Sequence, residues 1–242
     1  MAEKRRIVVG TTIYNVFIDE ERRNSFKVSI TKRGINIRVP KGLKKVEKEP
    51  QIQEFLDWAI TKIKANPPKK QKQKIYTHND LVRTHSRIYK LDIQVRPSEK
   101  NFAKISNNLI ILKIADHHGE TIKQKYISKQ LQKLLKHNHS QELHERVHHI
   151  NKLHFGKELG KISYRHTISR WGVCKMDKKE IELSTKLLLA PQVVLDYVIL
   201  HELAHLIEPN HSKRFWNVVK SVDPHYKKKI KWLKVNGEKL VI

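Results

Sequence analysis

Apolar runs and apolar–polar alternation make residues 6–39 read as strands, the alternation clearest over 26–30 and 35–39. Residues 7–9 and 13–18 flank Gly10, and residues 26–30 and 35–39 flank Lys32-Arg33-Gly34. Such alternation predicts strands with one buried face, and Gly34 supplies the positive φ of a tight hairpin turn. The period changes over residues 50–64, where Ile52, Phe55, Leu56, Ala59, Ile60 and Ile63 share one stripe and predict a helix. Residues 66–74, Asn-Pro-Pro-Lys-Lys-Gln-Lys-Gln-Lys, carry neither period and read as a solvated connector.

Alternation returns at residues 86–96, and residues 109–115 form a more apolar strand pattern. From Glu120 to about Phe155 the period is helical, interrupted near His137-Asn138-His139-Ser140 and closed by Gly156 and Gly160. Two further strands are expected at 162–166 and 180–184, on either side of Ser169-Arg170-Trp171-Gly172-Val173-Cys174. Pro191 then opens a helix that Val193, Val194, Tyr197, Val198, Leu200 and Leu203 make apolar over most of its circumference. Ser212 is placed to cap a helix bearing Phe215, Val219 and Val222, and a last helix runs from near Pro224 to Gly237. The order of elements predicts an α+β chain: a β-rich region over 1–118 with one helix, and a second region over 119–242. No internal repeat of sequence is visible.

Charge changes the list of partners. Fifty Lys and Arg stand against 24 Asp and Glu, a net charge of +26, which attracts nucleic acid, nucleotides and acidic surfaces. The charge is spread along the chain rather than gathered in a tail. A single cysteine, Cys174, excludes an internal disulfide and fits a reducing compartment. The N-terminus has no h-region and no apolar run reaches about 18 residues, so a soluble, cytoplasmic protein is expected.

The helix after Pro191 carries His201-Glu202-Leu203-Ala204-His205, with His211 after five intervening residues. A spacing of four puts both imidazoles on one face, within reach of one metal ion. Two ligands are too few for a tight zinc site, and His211 is the natural third. Glu208-Pro209-Asn210 breaks the helix and lets the chain return His211 from a loop. Glu202 lies about 100° round from His201, placed to hold a water rather than the ion. One zinc per chain is the expectation. Histidines and a carboxylate on a buried helix need partners, which a metal provides. His144-Glu145-Arg146-Val147-His148 with His154 has the same formal spacing. There the neighbours are polar, no breaker intervenes, and continued helix would turn His154 about 240° away from His148. It reads as a solvated face.

Other residues are open to two readings. Arg165 or Arg170 suits a phosphate or an oxyanion, and Trp171 suits a stacked base or simple packing beside Gly172. Tyr164 is a proton donor or a packing residue, and Cys174 a fourth ligand, a redox switch or a buried thiol. His225, after Pro224, reads as surface. Residues 180–184 are a possible edge for an extended peptide or an ordinary core strand.

Taken together, Ser169-Arg170-Trp171-Gly172-x-Cys174, residues 181–184, Leu189-Ala190-Pro191, Val198-x-x-His201-Glu202-Leu203-Ala204-His205-Leu206 and Asn210-His211-Ser212-x-x-Phe215-Trp216 resemble the YgjP-like metallopeptidase domain. Arg87-Ile88-Tyr89-Lys90-Leu91 and the span from Gly34 to Val39-Pro40 match its longer members. The resemblance implies a zincin-like catalytic region, a mixed sheet plus an active-site helix. It implies a zinc-type ion on His201, His205 and His211, with Glu202 catalytic. Peptidase activity follows from it, and for part of the family a nucleotide pyrophosphatase acting on UTP. Val173 stands where members often carry a small residue such as serine. Glu208 stands where other peptidases of this histidine spacing have glycine. The WLM-type DNA–protein crosslink proteases share the histidine outline and the following Phe, which implies a nucleic-acid-linked role as a further alternative. A polypeptide or a nucleotide is therefore the expected substrate, because the metal centre alone attacks a peptide bond or a phosphoanhydride equally well.

Overall fold

The computed structural model describes residues 3–31, 34–66, 74–167 and 170–242. Residues 32 and 33 of the expected hairpin turn, most of the connector and Ser169 lie outside the described residues. The chain divides into two compact units, residues 1–71 and 72–242.

In the first unit β1 (Glu3–Val9), β2 (Thr12–Glu21), β3 (Lys27–Thr31) and β4 (Gly34–Pro40) form one sheet in the order β1-β2-β4-β3. The central pair β2 and β4 is parallel and each outer pair is antiparallel. Alternate residues Val16, Ile18, Ile35, Ile37 and Val39 share a core with Ile52, Leu56, Ala59 and Ile63 of α1 (Lys45–Ala65). That helix starts five residues before the expected position. The Glu47 side chain accepts the Lys44 backbone N–H at 2.6 Å, so the cap sets the start and Pro50 falls inside the helix.

The second unit opens with β5 (Leu81–Arg83), β6 (Ile88–Arg96), β7 (Phe102–Ser106) and β8 (Leu109–Ala115). Their order, β5-β6-β8-β7, repeats the first sheet, parallel centre included, and a helix, α2 (Glu120–Asn138), again follows. Topology is duplicated where sequence is not. The expected division at 118/119 separates this sheet from the helices it serves. Tyr89, Leu91, Ile110, Leu112 and Ile114 instead share one core with Ile127, Leu131 and Leu135 of α2 and with the helices beyond. Residues 72–118 therefore belong with residues 119–242.

After α3 (Ser140–His154), β9 (Ile162–Arg165), β10 (Gly172–Lys175) and β11 (Glu180–Ser184) make a small mixed sheet in the order β10-β11-β9. β11 is central, parallel to β9 and antiparallel to β10. α4 (Gln192–Ala204) is buried round most of its surface and packs on α3, β10, β11, α5 (Lys213–Val222) and α6 (Tyr226–Asn236). Arg146 on α3 clamps it, its guanidinium donating to both Asp196 oxygens at 2.7 and 2.6 Å. A mixed sheet beside a buried helix gives the expected α+β class. Among the described residues no helix is long and apolar enough to cross a membrane.

The shared core generates a test of the division. A fragment of residues 72–242 should unfold in one cooperative thermal transition followed by circular dichroism. Residues 119–242 alone should show none, since loss of β5–β8 bares Ile127, Leu131 and Leu135. Cooperative unfolding of the shorter fragment would contradict the assignment.

Candidate metal centre

The three histidines come from a helix end and the turn that follows it. α4 stops at Ala204, and His205 occupies its C-cap in right-handed conformation. The N–H groups of Leu206 and Ile207 close onto the carbonyls of Leu203 and Ala204, both at 3.0 Å. Termination therefore precedes Glu208-Pro209, and the proline then prevents the helix from resuming. Ser212 Oγ accepts the Phe215 N–H at 3.3 Å and starts α5, leaving His211 facing back across the turn.

His201 Nε2 and His211 Nε2 lie 2.9 Å apart, and one nitrogen from each of the three rings lies within 4.8 Å of the others. Nitrogen ligands of a tetrahedral zinc are separated by about 3.3 Å. Two imidazole lone pairs this close repel unless a proton or a cation sits between them. His205 Nδ1 donates to the Glu208 carbonyl at 3.3 Å, which fixes the tautomer that leaves Nε2 free to bind metal. Burial pushes the His201 pKa down to about 4 and lowers His205 as well, with the neighbouring imidazoles adding to the effect. Neutral imidazole is the metal-binding form. The residues present fit a zinc-type ion.

Phe215 supports all three rings. It is fully buried, and its centroid lies 4.9, 4.6 and 4.8 Å from those of His201, His205 and His211. Trp216 stacks on His211 at 5.8 Å, and Tyr226 stacks on Trp216 at 5.2 Å. The loop histidine is thus held by packing as well as by the turn.

Glu202 is buried and lies outside the three-histidine ligand group. Its carboxyl is pushed up to about 7, chiefly by desolvation, against the opposing effects of the Cys174 backbone N–H and the Arg170 charge. A cation at the histidines would favour its ionised form. The carboxylate can approach the sheet because position 172 has no side chain. A Cβ on Gly172 would stand 2.6 Å from Glu202 Cγ and 2.7 Å from its carboxyl carbon. This contact explains why the Arg-Trp-Gly-x-Cys loop accompanies the histidine helix. The Cys174 thiol is raised to about 11 by burial and by Glu202, so it stays protonated, and it is absent from the ligand group.

The sequence matches the family model described as YgjP-like, metallopeptidase domain, over residues 24–236. The chain belongs to the YgjP-like family. Among solved structures, the metallopeptidase zymogen abylysin of Pyrococcus abyssi is similar at 22% identity and a TM-score of 0.36, over 38% of this chain and 92% of that one. No curated protein matches the chain significantly.

This YgjP-like chain is accordingly a metal-dependent hydrolase. Its metal centre opens into a cleft of about 680 Å³ whose lining includes Arg170, Trp171, Tyr197, Ile230 and Lys234. Arg170 and Trp171, for which the sequence leaves both a binding and a packing or surface reading open, line the cleft. Arg165 does not line the cleft; it is largely exposed and pairs with Glu182 at 3.3 Å. Tyr164 is buried in the core and borders a different cavity, so it is a packing residue. His225 is exposed just before α6. In the look-alike segment His144 is half-buried, His148 and His154 are exposed, and no ligand group includes them among the described residues. β11 is central, so residues 180–184 offer no docking edge; the outer strand beside the cleft is β10. Sequence reasoning left the structural parts of Gly172, Phe215 and Trp216 unassigned, although all three lie in the motifs. Lys234 carried no signal, because α6 reaches the cleft only through tertiary packing.

The Gly172 contact predicts a separable defect. Gly172→Ala should keep zinc on the histidines while displacing Glu202, lowering hydrolysis about 10²-fold for a shift near 1 Å. Zinc content and turnover measured on the same preparation check this. Unchanged turnover would contradict the contact.

Proposed function

We propose that this YgjP-like protein is a zinc-dependent peptidase acting on extended polypeptide, with Glu202 as general base. The observation that carries the reading is a buried carboxylate beside the three-histidine group yet outside it, at the floor of an open cleft. A bound zinc would polarise the scissile carbonyl and acidify water to a pKa of roughly 7. Glu202 takes a proton from the attacking water and returns it to the leaving amine. Gly172 and Cys174 hold that carboxylate in line, one by yielding space and the other by its N–H. Among the described residues β10 pairs with β11 alone, which leaves its outer edge for a substrate strand aligned by main-chain hydrogen bonds. The apolar walls from Trp171, Tyr197 and Ile230 suit side chains of an unfolded segment.

One observation favours a second reading, a nucleoside triphosphate pyrophosphatase of the UTP type. Arg170 and Lys234 bring two cations to the cleft, and Trp171 gives a face on which a base can stack. Affinity does not separate the readings, since a chain of net charge +26 binds any polyanion in a salt-dependent way. Turnover does. Zinc-loaded protein should cleave casein, and Glu202→Gln should retain metal while losing about 10²–10⁴-fold of the activity. The panel is casein, casein with single-stranded DNA, and the four ribonucleoside triphosphates, each blanked with Glu202→Gln. Release of pyrophosphate without proteolysis would overturn the peptidase reading. Proteolysis confined to the DNA arm would move the substrate to nucleic-acid-bound protein.

A further inference from the structure

A second cluster of metal-ligating side chains lies in the same unit, away from the catalytic cleft. His85, His139 and Glu142 place one ligand atom each within 4.8 Å of one another, the same criterion that the catalytic histidines meet. We propose that these three residues bind a second divalent transition ion, zinc by their donor set, which staples the β5–β6 turn to the α2–α3 corner.

The cluster is built rather than incidental. His139 is the residue between α2 and α3, its side chain is fully buried, and Glu142 follows three positions later on the same face. His85 lies in the turn between β5 and β6, and its backbone N–H donates to the Leu188 carbonyl at 2.9 Å. The His85 side chain is 1% exposed, and neither ring nitrogen makes a hydrogen bond. Glu142 Oε1 lies 3.3 Å from His85 Nδ1 without bonding geometry, and Gln192 approaches from the cavity without satisfying the ring. A buried imidazole normally has a partner for each nitrogen. An ion between the three groups would take a lone pair from His85 and from His139 Nδ1, which now lies 2.9 Å from Glu142 Oε2.

Surrounding groups hold the donors as outer-shell partners hold metal ligands. The Tyr89 hydroxyl lies 3.0 Å from His139 Nε2 and accepts from Asn138 Nδ2 at 2.6 Å, so Nε2 is held there and Nδ1 is the ring atom turned to Glu142 and the cluster. Ser86 Oγ donates to Glu142 Oε2 at 2.9 Å. The open side faces a cavity of about 390 Å³ bordered by Glu145 and His149, with room for a fourth ligand from solvent. Two nitrogens and one carboxylate are a zinc set; calcium and magnesium demand more oxygens.

Counting metal tests the assignment. Full-length protein is stripped, loaded with zinc, desalted and analysed for zinc per chain. Wild type should hold about two equivalents, His205→Ala/His211→Ala about one, and adding Glu142→Gln to that variant about none. Glu142→Gln alone should keep about one ion and its hydrolytic turnover, which shows that it remains folded. His144→Ala/His148→Ala should leave the wild-type count unchanged. If His205→Ala/His211→Ala holds no zinc, or if its remaining ion is lost with His144 and His148 and not with Glu142, the proposal is overturned. A single wild-type ion that only Glu142→Gln removes would support this site and refute the catalytic one.

Discussion

Glu202 can stand beside the three histidines only because the strand it touches has no side chain at position 172, and most of the second unit serves that contact. The carboxylate rides on α4, one position past His201, so the register of α4 against β10 sets the positions of both side chains together. A helix buried on nearly every side has little freedom to slide or turn. The Arg146–Asp196 clamp fixes its first half, and Phe215 fixes the ligand end. The sheet β5–β8, distant in sequence, enters the same core.

Burial acts on the two kinds of titrating group in opposite directions and to the same end. It lowers His201 and His205 and raises Glu202, so without an ion these three groups lean to their neutral forms. Neutral imidazoles are what an ion needs. A carboxyl poised near neutrality becomes a base once a dication nearby favours its charge. Fully buried Phe215 backs the three rings and meets Trp216 edge-on, and Trp216, stacked on Tyr226, lines the cleft together with Arg170 and Lys234.

Local pattern made the three-histidine group legible. Ligands four apart on an apolar helix, a breaker and a returning histidine are close in sequence, and the same locality exposed the His144–His148 segment as a solvated face. What depended on distant pairing was not legible. β5 and β7, of three and five residues, are too short to show a period, so the sheet they complete was grouped with the wrong unit. Whether residues 180–184 form an edge depends on β9 and β10 flanking them, which no window of sequence contains. His85 and His139 meet only through packing, so their cluster left no spacing to read. Arg165 looked equivalent to Arg170 in sequence, yet strand direction sends it to Glu182 and away from the cleft.

The central claim is that three histidines hold the ion and Glu202 does not. A crystal structure of zinc-loaded protein with data collected at the zinc absorption edge tests it directly. The account predicts an anomalous peak bonded to His201, His205 and His211 at about 2.0–2.1 Å, with the Glu202 carboxylate against Gly172 and outside bonding distance. A peak ligated by a Glu202 oxygen, or no peak at these histidines, would contradict it.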